Sequence, residues 1–250
     1  MKNKTLTDEL IEQLVYLKLP WIREHYDALA AQAAEKSWTP VEFLAHLLEG
    51  ESNLRMDRAT ERRIKAAHFP VIKTLEQFDW SWPRKINRPM VQDLFRLQFV
   101  ENKHNVILLG GVGLGKTHIA LSLAYQACLQ GHRTLFASAA DIINTLSAAQ
   151  KAHRLKLEIT KYLRPALLVI DEIGFMPIDK HGADLLFQVI SQRYEQGAIV
   201  LTSNKAFKHW PSIFNNDSVV TSAILDRLLH HADTATIEGK SYRMKDRIDP

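Results

Sequence analysis

Apolar residues return at helical spacing from the start of the chain, with Leu6, Leu10, Leu14 and Leu17 predicting a first helix and Pro20 its break. Trp21 to Glu35, rich in alanine, predicts a second helix. In the stretch from Ser37 to Glu42, Thr39 suits a helix cap and Pro40 a first helical turn. Phe43, Leu44, Leu47 and Leu48 then supply an apolar face to a third helix, whose pattern continues through Arg55–Ala67. The periodicity stops at His68-Phe-Pro70. Residues 69–90 hold three prolines, two tryptophans and no sustained period, which reads as a connector with an adhesive segment, Phe78–Trp82, expected to pack against a domain. Asp93–Val100 predicts a short helix.

From Asn105 the pattern changes. Short, largely apolar runs at Val106–Leu109, Thr134–Ala137, Ala166–Ile170 and Ala198–Leu201 predict strands, with Thr234–Ile237 a fifth. Helical patterns at Thr117–Gln130, Ala140–His153, Leu155–Tyr162, Gly182–Glu195 and Ser222–His230 separate them. Continuous apolar strands alternating with helices predict a parallel sheet covered on both faces. Three parts follow: a helical segment 1–68, a connector 69–104 and an α/β domain 105–250.

Composition narrows the setting. The chain has 250 residues, 46% hydrophobic and 24% charged, so a core of useful size is available. Its single cysteine, Cys128, excludes an internal disulfide framework and a cysteine-rich zinc site, and its apolar helical surroundings predict a buried side chain. No run approaches the ~18 apolar residues of a membrane span, and the first residues lack a signal-peptide core. A cytoplasmic protein without a membrane partner is expected. The formal charge of +4 is compatible with nucleic acid without demonstrating it.

Candidate chemistry begins after the first strand. Gly110–Thr117 reads GGVGLGKT, the full G-x-x-x-x-G-K-S/T phosphate loop between a strand and a helix. Gly110, Gly111, Gly113 and Gly115 permit backbone angles that turn N–H groups toward phosphate oxygens. Val112, Leu114 and His118 complete the stretch expected to hold the nucleotide. Lys116 offers a point charge to the outer phosphates, and Thr117 a hydroxyl to Mg²⁺. The following helix aims its positive end at the same anion.

A second motif, Ala166-Leu-Leu-Val-Ile-Asp-Glu172, ends an apolar strand in two carboxylates. Asp171 is the candidate to help hold Mg²⁺, and Glu172 the candidate to orient and activate the attacking water. A solvated strand-end charge is the plain alternative for Glu172. Ala198-Ile-Val-Leu-Thr-Ser-Asn204 offers a strand-end amide, Asn204, with Thr202 and Ser203 as neighbours. Ser222-Ala-Ile-Leu-Asp-Arg227 places Arg227 on a later helix, as a guanidinium for a neighbouring subunit or as an internal partner of Asp226 or another carboxylate.

GGVGLGKT, LLVIDE, VLTSN and ILDR in this order resemble AAA+ ATPases, and more narrowly the IstB/DnaC group of transposition helpers and helicase loaders. Asp171-Glu-Ile-Gly-Phe-Met-Pro177, the stretch from Thr202 to Trp210, Gly239-Lys-Ser-Tyr-Arg243, the N-terminal helices and Phe78–Trp82 look like IstB, so the likeness covers nearly the whole chain. It implies an AAA+ P-loop fold with a central parallel sheet flanked by helices, preceded by a small all-helical domain. It further implies an ATP- and Mg²⁺-dependent ATPase that self-associates with ATP between subunits, binds double-stranded DNA with little sequence choice and works with a transposase. The 23 residues after Arg227 are too few for the usual C-terminal lid, so the arginine such a lid supplies is missing or replaced, with Arg243 a candidate substitute.

Two basic clusters are candidate DNA contacts. Arg55, Arg58, Arg62, Arg63 and Lys65 form one, and Lys151, Arg154, Lys156, Lys161 and Arg164, with His153, the other. Solvated helix faces balanced by Asp57, Glu61 and Glu158 are the plain alternative. No helix-turn-helix, finger or zipper pattern is present, so direct base reading is not expected. A DnaC-like helicase loader and a phosphate-loop metabolite kinase remain as alternative functions. The second lacks a substrate-pocket signature.

Overall fold

The computed structural model describes residues 5–244. Its contacts divide the chain after Arg62, into a helical unit and a larger unit carrying the sheet.

In the first unit, α1 (Leu6–Tyr16) starts at a reciprocal cap between Thr5 and Asp8. Helix α2 (Pro20–Glu35) begins at the proline expected to end its predecessor, because fixed φ and a missing N–H suit a first turn. Helix α3 (Pro40–Ala66) opens with Thr39 and Glu42 capping each other's backbone N–H groups, at 3.2 and 2.7 Å. Its buried Glu51 accepts from the N–H groups of Trp21 (2.9 Å) and Ile22 (3.3 Å), so one carboxylate caps the start of α2. Leu14, Ile22 and Leu47 are the buried centre, with Trp21, Tyr26, Leu29 and Phe43 around them. Leu6, Leu44 and Leu48 have the helical spacing but lie exposed. Periodicity finds the apolar stripe, but three helices bury only its middle.

In the second unit, the helix expected over Asp93–Val100 is instead the end of α4 (Arg88–Leu94) and a short α5 (Gln98–Glu101). Leu97, buried and left-handed at φ 59°, breaks it. Strands β1 (Asn105–Gly110), β2 (Thr134–Ser138), β3 (Leu167–Ile173), β4 (Ala198–Ser203) and β5 (Ala232–Ile237) form one parallel sheet in the order β2-β3-β4-β1-β5. Helices α6 (Lys116–Leu129), α7 (Ala139–Lys151), α8 (Leu155–Leu163), α9 (Lys180–Arg193) and α10 (Ser218–Leu229) flank it.

Strand β1 is apolar on both faces because both are covered. Ile107 and Leu109 join the layer with Leu186, Leu201 and Trp210, while Val106 and Leu108 join the layer with Ile119, Leu123 and Phe99. Full burial of each such side chain contributes ~1.5–3 kcal/mol, which gives the sheet a rigid centre. From β1 the chain crosses to the far edge at β2, and the crevice at such a change of direction, outside the carboxyl ends of the strands, is where open α/β sheets bind ligands. Among the described residues only a 3₁₀ turn (Tyr242–Met244) follows β5, and no helix is long and apolar enough to cross a membrane.

Candidate active site

The phosphate-loop stretch leaves β1 and enters α6 at that crevice. Gly113 and Gly115 are left-handed, at φ 75° and 84°. A Cβ at Gly115 would stand 2.5 Å from the Phe78 ring, and one at Gly113 2.1 Å from Ser241 Oγ. Both positions therefore need glycine for conformation and for space. Gly111 does not: it has no positive φ, and a Cβ there meets Leu114 at an ordinary 3.6 Å.

A cavity of about 490 Å³ opens beside the loop. Val112, Gly113, Leu114, Gly115, Lys116, Thr117 and His118 line it, as do Glu172, Thr202, Asn204 and Arg243. Lys116 Nζ donates to the Gly111 carbonyl at 2.7 Å. Burial pulls the Lys116 amine below the usual lysine range, Asp171 and Glu172 oppose that pull, and Arg243 adds to it. The His118 ring bonds the Thr74 carbonyl at 2.8 Å, which as an acceptor requires Nε2 to carry the proton. Burial pulls His118 below the usual histidine range, the Thr74 bond opposes this, and Lys73 adds to it.

The acid pair is built on a strand irregularity. The β3–β4 register shifts between Ile170 and Ile173, and Glu172 is left-handed at φ 64°. A non-glycine residue held there costs ~1–3 kcal/mol, a strain found mostly at functional sites. The shift sends the two carboxylates to different places. Asp171 is buried and accepts from Thr117 Oγ1 at 3.0 and 3.1 Å, whereas Glu172 is exposed at the cavity. Thr202 joins them: its hydroxyl donates to Asp171 Oδ1 at 2.5 Å and accepts from the Glu172 N–H at 2.9 Å.

Asn204 follows β4 directly. Its Oδ1 is buried without a hydrogen-bond partner, in a residue that lines the cavity. Such an orphan is uncommon in a native fold and calls for an explanation. A donor on a bound ligand or water would supply one. The cavity, the two left-handed glycines and the Lys116 cation fit a triphosphate, and the Asn204 acceptor fits a water beside it. The hard oxygens of Thr117 and Asp171 fit the ligand preference of Mg²⁺.

Other sequence candidates lie elsewhere. Arg227 is not among the cavity-lining residues. Its guanidinium donates to the Ala223 carbonyl at 3.0 Å and stacks over Phe187 at 4.9 Å, so its partners within the subunit are the preceding turn and α9 rather than Asp226, the alternative partner. Arg55 is held by Glu51 (3.2 Å) and the Lys18 carbonyl (3.0 Å), and Arg63 donates to the Cys128 carbonyl at 2.9 Å. Lys161 pairs with Glu158 at 2.6 Å. Arg58, Arg62, Lys151, Arg154 and Lys156 are exposed.

Sequence reasoning placed no ligand contact in the connector, yet Val71, Gln77, Phe78, Asp79 and Trp82 line the cavity. Phe78 is buried edge-on against His118 with ring centres 5.5 Å apart. Lys85 and Glu238 bond each other's backbone, and Trp82 Nε1 donates to the Lys240 carbonyl at 2.9 Å, which ties the connector to the segment after β5. The aromatic run was the available signal. Its target lies far away in sequence.

The family described as IstB-like ATP binding protein matches residues 12–249. A Pseudomonas aeruginosa protein of insertion sequence IS21, described as ATP-binding, is 43% identical over 96% of this chain and 90% of its own length. A counterpart of insertion sequence IS5376 from Geobacillus stearothermophilus is 37% identical over 92% of each chain. Among solved structures, the DnaC helicase loader aligns with a TM-score of 0.53 at 18% identity, covering 66% of this chain and 96% of its own. AMPPCP-bound DnaA from Aquifex aeolicus aligns with a TM-score of 0.54 at 22% identity, covering 69% and 52%. These likenesses establish the AAA+ fold expected from the motif order.

Proposed function

The chain belongs to the family of IstB-like ATP-binding proteins, and from that premise we propose that it is an ATPase that assembles with copies of itself on double-stranded DNA and assists a transposase. The supporting observation is the convergence of Lys116, Thr117, Glu172, Thr202 and the orphaned Asn204 on one cavity. Insertion-sequence relatives favour this reading over a helicase loader, with which the chain shares the fold.

In this reading Lys116 neutralises the outer phosphates, and Thr117 with Asp171 holds Mg²⁺. Bound Mg²⁺ supplies charge neutralisation at the phosphates. Glu172 orients a water and takes its proton, while Asn204 fixes that water's position. Phe78 and the connector cover the nucleoside end. Arg227, which does not line its own subunit's cavity, serves a neighbour, and Arg243, which does, adds positive charge beside the phosphates. Arg58, Arg62, Lys151, Arg154 and Lys156 carry DNA affinity through phosphate contacts, with weaker contributions from Arg55, Arg63 and Lys161, which already have partners. The work is done in the cytoplasm.

Light scattering on the protein with duplex DNA, with and without ATP at fixed salt, tests the reading. A large complex that needs both ligands, and that Glu172→Gln traps, is expected. A monomer under every condition overturns the assembly. Parental hydrolysis by Glu172→Gln overturns the assignment of the base.

A further inference from the structure

A second cluster of ligand-type side chains lies outside the cavity, where the end of α9 meets the end of α10. Glu195, His230 and His231 each offer one donor atom, all within 4.8 Å of one another. They come from two segments of the chain. Glu195 follows α9 in a left-handed conformation, φ 57°, and the two histidines join α10 to β5.

The backbone beneath them is fixed. The His230 N–H bonds the Asp226 carbonyl at 3.1 Å, and the His231 carbonyl accepts from the Asn105 N–H at 2.7 Å. The rings are also held. Tyr194 Oη stands 2.6 Å from His230 Nδ1, and His104 stacks on His231 at 4.9 Å with the planes 7° from parallel. His231 Nε2 already lies 3.7 Å from Glu195 Oε1.

We propose that Glu195, His230 and His231 bind a divalent transition-metal ion of the Zn²⁺ class. Two imidazoles and one carboxylate suit zinc, and side-chain exposures of 55% for Glu195 and 41% for His231 leave room for water as a fourth ligand. Donors ~2.0–2.2 Å from a tetrahedral ion stand about 3.4 Å from one another, so closure takes roughly 1 Å of side-chain movement. The bound ion joins the loop after α9 to the end of α10, three residues beyond Arg227. It therefore restrains the helix that carries that arginine.

The test is a titration of the purified, untagged chain with Zn²⁺ alone, read by calorimetry and by thermal unfolding. One equivalent should bind and raise the Tm. The double variant His230→Ala/His231→Ala should lose both effects while keeping its nucleotide affinity, since neither residue lines the cavity. Glu195→Gln replaces a charged direct ligand with a neutral one and should weaken binding about tenfold or more, at least the cost of losing an outer-shell partner. Co²⁺ in place of zinc should give visible absorption in the parent and none in the double variant. Failure of the parent to take up an equivalent overturns the site, and so does a double variant that still binds it with unchanged affinity.

Discussion

Thr202 donates its hydroxyl proton to Asp171 Oδ1 across 2.5 Å while its oxygen accepts the Glu172 N–H. One β4 side chain thus sets the placement of two successive β3 residues, at the point where the strands lose register. Thr202→Val removes donor and acceptor at nearly constant volume. Hydrolysis should fall about 10–100-fold, the usual effect of losing a residue that orients a ligand-holding carboxylate, while nucleotide affinity changes little. Thr202→Ser should restore most of the rate. Equal losses in binding and turnover, or no rescue by serine, would point to a packing role.

Phe78 tests whether the connector contributes to the site. It lies edge-on to His118 and against Gly115. Phe78→Leu keeps apolar volume and removes the ring. Aromatic contacts contribute ~0.5–1.5 kcal/mol beyond area, so nucleotide affinity should weaken about two- to tenfold, with turnover at saturation preserved. Unchanged affinity in equilibrium titration would remove Phe78 from the site.

The parts legible in the sequence were those whose chemistry is local. A phosphate loop is a run of neighbours, and an apolar strand ending in Asp171-Glu172 announces itself within seven residues. The parallel sheet followed from strands apolar on both faces, as the alternation of Val106 and Leu108 against Ile107 and Leu109 shows. What stayed hidden is held across distance. Nothing near Thr202 forecasts its bond to Asp171, and nothing near Phe78 forecasts Gly115. Leu97, buried at a left-handed φ of 59°, breaks a helical pattern that local spacing alone would continue. Leu44 and Leu48 look like core because periodicity cannot count the partners available to cover them.

His118 supplies a pH dependence. Its proton affinity is lowered by burial, so the unfolded chain binds a proton here, near pH 6.5, before the folded chain does. Stability at this position is complete above about pH 6.5 and is lost as pH falls from there to the lower folded value. His118→Gln does not titrate and keeps a donor for the Thr74 carbonyl. The Tm difference between parent and variant should shrink from pH 7.5 toward pH 5.5. Parallel Tm curves across that range would contradict the assignment.

Glu51 governs the first unit. Buried, it accepts from Trp21 and Ile22 and is braced by Arg55 at 3.2 Å. Glu51→Ala leaves the first turn of α2 without its acceptor and should destabilise this unit by ~1–3 kcal/mol. Hydrogen exchange should show α2 opening more readily, with exchange in β1 unchanged. Unaltered protection of Ile22 would argue against the cap.

Arg193 makes the same argument in the second unit, with a charge. It is 1% exposed, and its guanidinium donates to the carbonyls of Tyr162 (2.8 Å), Pro165 (2.9 Å), Ala166 (3.2 Å) and Ala198 (2.7 Å). These carbonyls belong to the end of α8, the turn after it, and the start of β4. Burial pulls Arg193 down to about 10, so it remains charged at pH 7, stabilised by carbonyl dipoles alone. Gly197 makes the room: a Cβ there would stand 2.5 Å from Nη2. Arg193→Met keeps length and apolar stem but abandons several buried acceptors, and should cost ~3–5 kcal/mol, read as a lower urea midpoint. Arg193→Lys should recover little, because one ammonium cannot reach carbonyls arranged for a planar fork. Gly197→Ala should also lower the midpoint, and its cost should largely vanish in the Arg193→Met background, where the clash is gone. A full additive cost in that double variant would show that the two residues act separately and that the fork is not what Gly197 accommodates.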